Sequence, residues 1–180
     1  MIGNWFEKRK NRDKIILASK VAGPGCDWIR GGGNNFDEKK IAEAIDGSLK
    51  RLKTDYIDLY QLHWPNRGSY HFRSYWNYKP EKQDSKNITD EFLDIINTLN
   101  DLKKEGLIRA IGVSNETCWG VMKLNEIIKE IENLCIASIQ NEYSLMCRLF
   151  DNDFNELSIN ENIPLLAYSP LARGLLTGKY

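Results

Sequence analysis

The sequence predicts an α/β fold built on a parallel sheet. Three observations carry this. Short apolar runs alternate with amphipathic helical stretches along the whole chain. There are five such runs and four helical crossovers between them, which is the pattern of parallel strands. A polar or ionisable residue also stands at the end of every run: Lys20, His63, Ser114-Asn115, Gln140-Asn141 and Tyr168-Ser169.

The first strand is expected over Ile15 to Ser19 and the second over Tyr56 to Leu62, with a helix from Asp37 to Arg51 between them. That helix carries Ile41, Ile45, Leu49 and Leu52 on one stripe, at helical spacing. Thr89 is the expected cap of the next helix, whose stripe is Phe92, Ile95, Ile96, Leu99 and Leu102, and Gly106 ends it. A third strand follows over Arg109 to Val113, then a helix near Thr117 to Glu132. The fourth strand spans Ile136 to Gln140. A short acidic helix around Asp151 to Ile159 leads to the fifth strand, Pro164 to Tyr168.

Right-handed crossovers leave two arrangements, a closed (β/α)₈ barrel or an open doubly wound sheet. The strand-end residues favour the barrel, because only there do all strand ends converge on one mouth. No GxGxxG follows the first strand, which weakens the open dinucleotide-binding sheet. Two segments interrupt the rhythm. Residues 23–35 are glycine-rich. Residues 66–87 form a long inserted loop carrying Tyr70, Tyr75, Trp76 and Tyr78, and its aromatics suggest that it lies over something.

Composition excludes several classes. Acidic and basic side chains balance at 25 each, so no nucleic-acid-binding face is implied. No apolar run approaches the ~20 residues that span a bilayer, and the start of the chain lacks the apolar core of a secretory signal. The four cysteines, Cys26, Cys118, Cys135 and Cys147, match no disulfide framework or metal-ligand spacing. A cytoplasmic protein with reduced thiols and no metal is expected.

The blocks "LASKV", "DYIDLYQLHWP", "GLIRAIGVSNET", "ASIQNEYSL" and "LLAYSPLARGLLTGKY" closely resemble the aldo-keto reductase family, in that family's order and at compatible spacing. The resemblance covers nearly the whole chain. It implies one partial (β/α)₈ TIM barrel domain over residues 1–180, with the five strands as about the third to seventh of the family fold. It also implies hydride transfer between NADPH and a small aldehyde or ketone. Lys20 and His63 match two of the family's four catalytic residues. The matching aspartate and proton-donating tyrosine fall ahead of residue 1. Ser114, Asn115 and Gln140 match the groups that hold the nicotinamide carboxamide, and Tyr168 matches the ring that stacks on it. Ser169, Pro170, Leu171 and Ala172 match the pyrophosphate loop, and Lys179 matches a phosphate-contacting lysine. The region that reads the adenosine 2′-phosphate has no match here, so NAD stands beside NADP as cofactor. Five strands of eight cannot close a barrel, and the chain alone is expected to be inactive. The alternatives are a cofactor-binding regulatory subunit without turnover and a non-functional gene fragment.

Overall fold

The computed structural model describes residues 1–25, 28–29 and 35–180. Cys26 and most of the glycine-rich segment after the first strand lie outside the described residues.

Five strands form one sheet in the order β1-β2-β3-β4-β5, every neighbouring pair parallel. They are β1 (Ala18–Val21), β2 (Ile57–Leu62), β3 (Ile108–Ser114), β4 (Ile136–Glu142) and β5 (Leu165–Tyr168). The helices are α1 (Ile2–Arg9), α2 (Glu38–Leu52), α3 (Ser85–Lys104), α4 (Cys118–Lys129) and α5 (Asp153–Asn160). Spatial order follows chain order without a reversal, so there is no switch point of a doubly wound sheet. Successive helices touch one another, as members of one layer. This is a partial (β/α)₈ barrel: five adjacent wall strands with their outer helices.

The core lies between sheet and helices. Val21, Tyr60, Ile111, Val113 and Ile139 face Ile41, Ile45, Ile95, Ile96, Leu99 and Leu124, all buried in one cluster. At ~1.5–3 kcal/mol for each fully buried aliphatic side chain, this face is the main source of stability. On the other face Ile57, Leu59 and Ile108 give way toward the carboxyl ends of the strands to Lys20, Gln61, Ser114 and Gln140.

Three elements differ from the sequence expectation. The first strand begins three residues later, because Ile15–Leu17 is drawn into a clamp at the amino end of the sheet. There Arg12 donates to the carbonyl of Ile15 at 2.7 Å, and the Leu17 amide donates to the Asp58 carboxylate at 2.9 Å. Helix α3 starts at Ser85, so Thr89 is not its cap. Asp84 accepts from the amides of Lys86 (2.9 Å) and Asn87 (3.2 Å), whereas the Thr89 hydroxyl donates back to the carbonyl of Ser85 at 2.7 Å. The inserted segment is therefore turns and one short 3-10 helix (Pro80–Lys82) up to Asp84, and residues 85–87 belong to α3. Helix α1 was not foreseen. Phe6 anchors it, being 4% exposed.

A bulge lies between β3 and β4. Ile111 pairs with Ile136 and Val113 with Ile139, two residues on one strand against three on the other. Without it, Gln140 would share the helix-facing side of Ile136. With it, Gln140 turns to the polar face, a side-chain re-aiming typical of bulges beside active sites.

Candidate active site

The polar face gathers its side chains toward the carboxyl ends of the strands. Lys20 on β1 is half-buried. Its Nζ donates to Gln61 Oε1 at 2.9 Å and to Gln140 Oε1 at 2.6 Å. An ammonium has three donors, so one N–H has no acceptor among the described residues. Among the described residues no carboxylate pairs with Lys20. Burial lowers its pKa from the ordinary lysine value.

His63 follows β2 by one residue, on the same face as Gln61. Burial, with the charge of Lys20 second, pushes its pKa down to about 4. The imidazole is therefore neutral at pH 7, a hydrogen-bonding group rather than an acid. Its ring packs on Trp64 at 4.4 Å between centroids. Trp64 in turn donates to the carbonyl of Pro24 at 2.9 Å. Gly23 makes that approach possible, since a Cβ there would stand 2.5 Å from the indole.

Ser114 and Asn115 end β3. The Ser114 hydroxyl donates to the carbonyl of Gln140 at 2.8 Å, and the Asn115 amide nitrogen bonds the same oxygen at 3.1 Å. The Asn115 backbone lies in the left-handed region (φ 51°), which asparagine tolerates. Its Nδ2 donates to the carbonyl of His63 at 3.0 Å and to Ser114 at 3.1 Å, and its Oδ1 accepts from the Tyr168 hydroxyl at 2.8 Å. Lys20, His63, Ser114, Asn115, Gln140 and Tyr168 thus form one connected set. Burial raises the Tyr168 phenol to about 12, so it stays protonated and donates.

The residues after β5 stand apart from this set. Ser169 (φ 54°), Ala172 (φ 48°) and Arg173 (φ 56°) are all left-handed, conformations that cost non-glycine residues ~1–3 kcal/mol each. The amide of Ala172 is already used by the carbonyl of Ser169 at 2.8 Å, which leaves fewer donors for a phosphate than the sequence suggested. Pro170 and Leu171 are exposed. Lys179 is exposed next to Tyr180 and makes no ion pair with a described residue.

Sequence reasoning missed Gln61. It is fully buried, with Oε1 on Lys20 and Nε2 without an acceptor among the described residues. The signal was present: a lone amide in an apolar strand, two residues before His63 and so on its face. It also missed the tie between the insert and β3. Arg67 forms a two-pronged, buried ion pair with Glu116 and also donates to Thr117 at 3.1 Å. His71 shares a 2.9 Å hydrogen bond with the carbonyl of Glu116. Tyr70 and His71 lie against the body, as its aromatics suggested, but Trp76 is 93% exposed.

A hollow of about 420 Å³ opens beside Trp64 and is lined by Pro24, Gly68, His71 and Phe72. A larger one, of about 840 Å³, runs between α2 and α3. It is lined by Asp37, Glu91, Asp94 and Asp101 and touches none of the connected set. Among the described residues there is no metal-ligand cluster and no helix long and apolar enough to cross a membrane.

The connected set suits a nicotinamide. A carboxamide needs both donors and acceptors, and the free Nε2 of Gln140 and the Ser114 hydroxyl supply them. Tyr168 offers a half-buried ring beside them. Asn115 has to exchange an existing bond to take part.

The family model described as aldo/keto reductase family matches residues 1–180. The chain is similar to "Protein tas" of Escherichia coli K12, 42% identical over 99% of this chain and 51% of that protein. It is similar to an "Aldo-keto reductase" of Babesia bovis, 40% identical over 93% of this chain and 61% of that one. An "NADH-specific methylglyoxal reductase" of E. coli is 29% identical over 95% of this chain and 48% of its own length. The chain spans about half the length of the curated relatives it matches. It belongs to the aldo-keto reductase family, a family of oxidoreductases that use nicotinamide cofactors.

Proposed function

We propose that this chain carries the lysine, the histidine and the nicotinamide-holding groups of a carbonyl reductase acting on an aldehyde or ketone with NADPH. The observation that carries this reading is the Lys20 ammonium, held by two amide oxygens and unpaired with any described carboxylate, beside a neutral His63.

The cofactor, when bound, supplies the hydride. Hydride arrival at a carbonyl carbon puts negative charge on its oxygen. A fixed ammonium and a neutral imidazole donor nearby stabilise that charge, more strongly where water is excluded. A lysine ammonium also lowers the pKa of a neighbouring phenol and eases its proton release. No tyrosine with a described position fills the acid's place. Tyr60 is buried on the helix-facing side, and Tyr143 donates to Asp151 at 2.7 Å. The 180-residue polypeptide alone is accordingly expected to give no turnover. Ser114, Asn115 and Gln140 hold the carboxamide and Tyr168 stacks on the ring. Ser169–Ala172 and Lys179 serve the phosphates. The hollow beside Trp64 takes the apolar part of a small substrate. The three cysteines among the described residues, Cys118, Cys135 and Cys147, are free thiols, which suits a cytoplasmic protein.

The test is NADPH oxidation by the intact protein with a reactive aldehyde, repeated with NADH. Turnover that disappears in Lys20→Met supports the reading. Tight NADPH binding without turnover on any carbonyl replaces it with a regulatory, cofactor-binding role.

A further inference from the structure

We propose that Arg67 and Glu116 are a positioning pair for the nicotinamide corner: through this buried ion pair the inserted segment holds the backbone that carries Ser114 and Asn115. This rests on the reading of those two residues as holders of the nicotinamide carboxamide, and adds the outer support that keeps them in place.

Residues 114–117 turn from β3 into α4, and the turn has two sides. On the mouth side Asn115 bonds the carbonyl of His63 and the hydroxyl of Tyr168. On the other side Glu116 is buried, and its carboxylate takes both prongs of Arg67. The chain turns between them at Asn115, whose left-handed backbone (φ 51°) persists where its surroundings fix it. The Glu116 carboxylate also accepts from the Thr117 amide at 2.6 Å. Arg67 donates to the Thr117 hydroxyl at 3.1 Å, and that hydroxyl caps α4 by accepting from the Gly120 amide at 3.2 Å. His71, also from the insert, bonds the Glu116 carbonyl at 2.9 Å. The insert thus grips the residue after Asn115 at both its carboxylate and its carbonyl.

The surroundings are shaped for the pair. The guanidinium lies over the ring of Phe92 on α3 at 5.2 Å and over that of Trp119 on α4 at 5.3 Å. A Cβ on Gly120 would collide with both Arg67 Nη2 and Glu116 Oε1, so the helix leaves out a side chain where the pair sits. Stability is a weak reason for such a pair. The two side chains are 7% and 5% exposed, desolvation offsets much of their attraction, and apolar residues of similar bulk often hold a fold as well. The Arg67 Nε also has no acceptor among the described residues. What apolar residues could not supply is direction, since two parallel N–H···O bonds fix the carboxylate in plane and in distance. The corner needs that, because Asn115 has to exchange an existing bond for the cofactor while its backbone stays in place.

The test is equilibrium binding to the intact protein, and it does not depend on turnover. The ligands are the tighter-binding of NADPH and NADH, and its matching fragment without nicotinamide, adenosine 2′,5′-bisphosphate or adenosine 5′-diphosphate. Arg67→Met and Glu116→Gln are expected to weaken the dinucleotide by about tenfold or more, the scale of one or two lost hydrogen bonds, and to leave the fragment within about twofold. Arg67→Lys should recover only part of the loss, since an ammonium does not reproduce the fork. Gly120→Ala should weaken the dinucleotide in the same selective way, although both charges remain. Asp58→Ala, altered at the far end of the sheet, should bind both ligands as wild type does. Unchanged dinucleotide affinity in folded Arg67→Met, or equal losses for both ligands, overturns the proposal. If Arg67→Met and Glu116→Gln do not fold, Arg67→Lys and Gly120→Ala decide by the same comparison. A wild type that binds the dinucleotide and turns over no carbonyl removes the reductase reading alone. One that binds neither dinucleotide removes both.

Discussion

At the amino end of the sheet, Asp58 accepts from Arg12 at 2.7 Å, from Arg109 at 2.9 Å and from the amide of Leu17 at 2.9 Å. Both guanidiniums also lie over the ring of Tyr56, at 4.0 and 3.8 Å. Burial alone would raise the Asp58 pKa, but these donors outweigh it and hold the carboxyl below the ordinary range. At the carboxyl end, Lys20 donates to two amide oxygens and meets no carboxylate among the described residues, and burial lowers its pKa. The first charge is fully matched and ties β1, β2, β3 and the segment after α1 together. The second has hydrogen-bond acceptors but no counter-charge among the described residues. A charge kept for structure is paired, because an uncompensated one is costly. A charge kept for chemistry has to leave its field available to a substrate.

The comparison breaks most visibly through substitution at the two charges. In the intact protein Lys20→Met is expected to lower carbonyl turnover by ~10²–10⁴-fold, with a smaller change in melting temperature than Asp58→Ala, because no described residue forms an ion pair with Lys20. Asp58→Ala is expected to do the reverse. It leaves Arg12 without its carboxylate in a place where the side chain is only 14% exposed, and a cost of about 2–4 kcal/mol follows, discounted for the exposure of Arg109. Turnover per folded molecule should be unchanged. Urea unfolding and steady-state kinetics on both variants check this. A Lys20→Met protein that is active, or an Asp58→Ala protein as stable as wild type, would remove the distinction.

The sequence was legible to different depths at the two ends. The carboxyl-end residues could be read because Lys20, His63, Asn115 and Tyr168 each terminate an apolar run. Gln140 was read through the resemblance, but its direction was not, because the bulge that turns it depends on pairing between β3 and β4. Gln61 was hidden by its place inside a strand. At the amino end, Ile15–Leu17 looked like strand by composition. Arg12 and Asp58 took those residues into a clamp, and only folding brings residues 46 positions apart together. Helix periodicity survived best, since Ile41, Ile45, Ile95, Ile96 and Leu99 are buried as their spacing required.

Acid should act on the carboxyl end before the amino end. His63 and His71 both have pKa values pushed down to about 4, in each case first by burial. Their unfolded values lie near 6.5. Between these limits the unfolded chain binds more protons, so stability is complete above about pH 6.5 and falls as pH drops toward 4. Glu91, whose pKa is raised by burial, opposes this and blunts the slope. The Asp58 contribution is lost only at lower pH, below the ordinary carboxylate range. Denaturant unfolding at about pH 7.5, 6 and 5 should show a loss of roughly 1 kcal/mol or more across the series, and His71→Gln should reduce it. A flat profile would mean that the imidazoles are solvated and that the insert does not cover His71.

The smallest effect belongs to a third setting for charge, on the outer layer. Asp84 is exposed, and its carboxylate accepts from two amides of the first turn of α3 and from the Asn87 side chain at 3.1 Å. It satisfies backbone donors that have no partner within the helix and also faces the positive end of the helix dipole. Water screens it, so it has neither the cost of Asp58 nor the reach of Lys20. Asp84→Ala should cost about 1 kcal/mol, the ordinary value of an N-cap, with turnover unaffected. Asp84→Asn should recover most of that, because the acceptor remains when the charge goes. Thr89→Ala, one turn further on, should cost almost nothing, since the Thr89 hydroxyl bonds a carbonyl that the helix already uses. Thermal melts of the three variants separate the possibilities. Equal losses in Asp84→Ala and Thr89→Ala would mean that α3 begins later than Ser85 and that Thr89 is the cap after all.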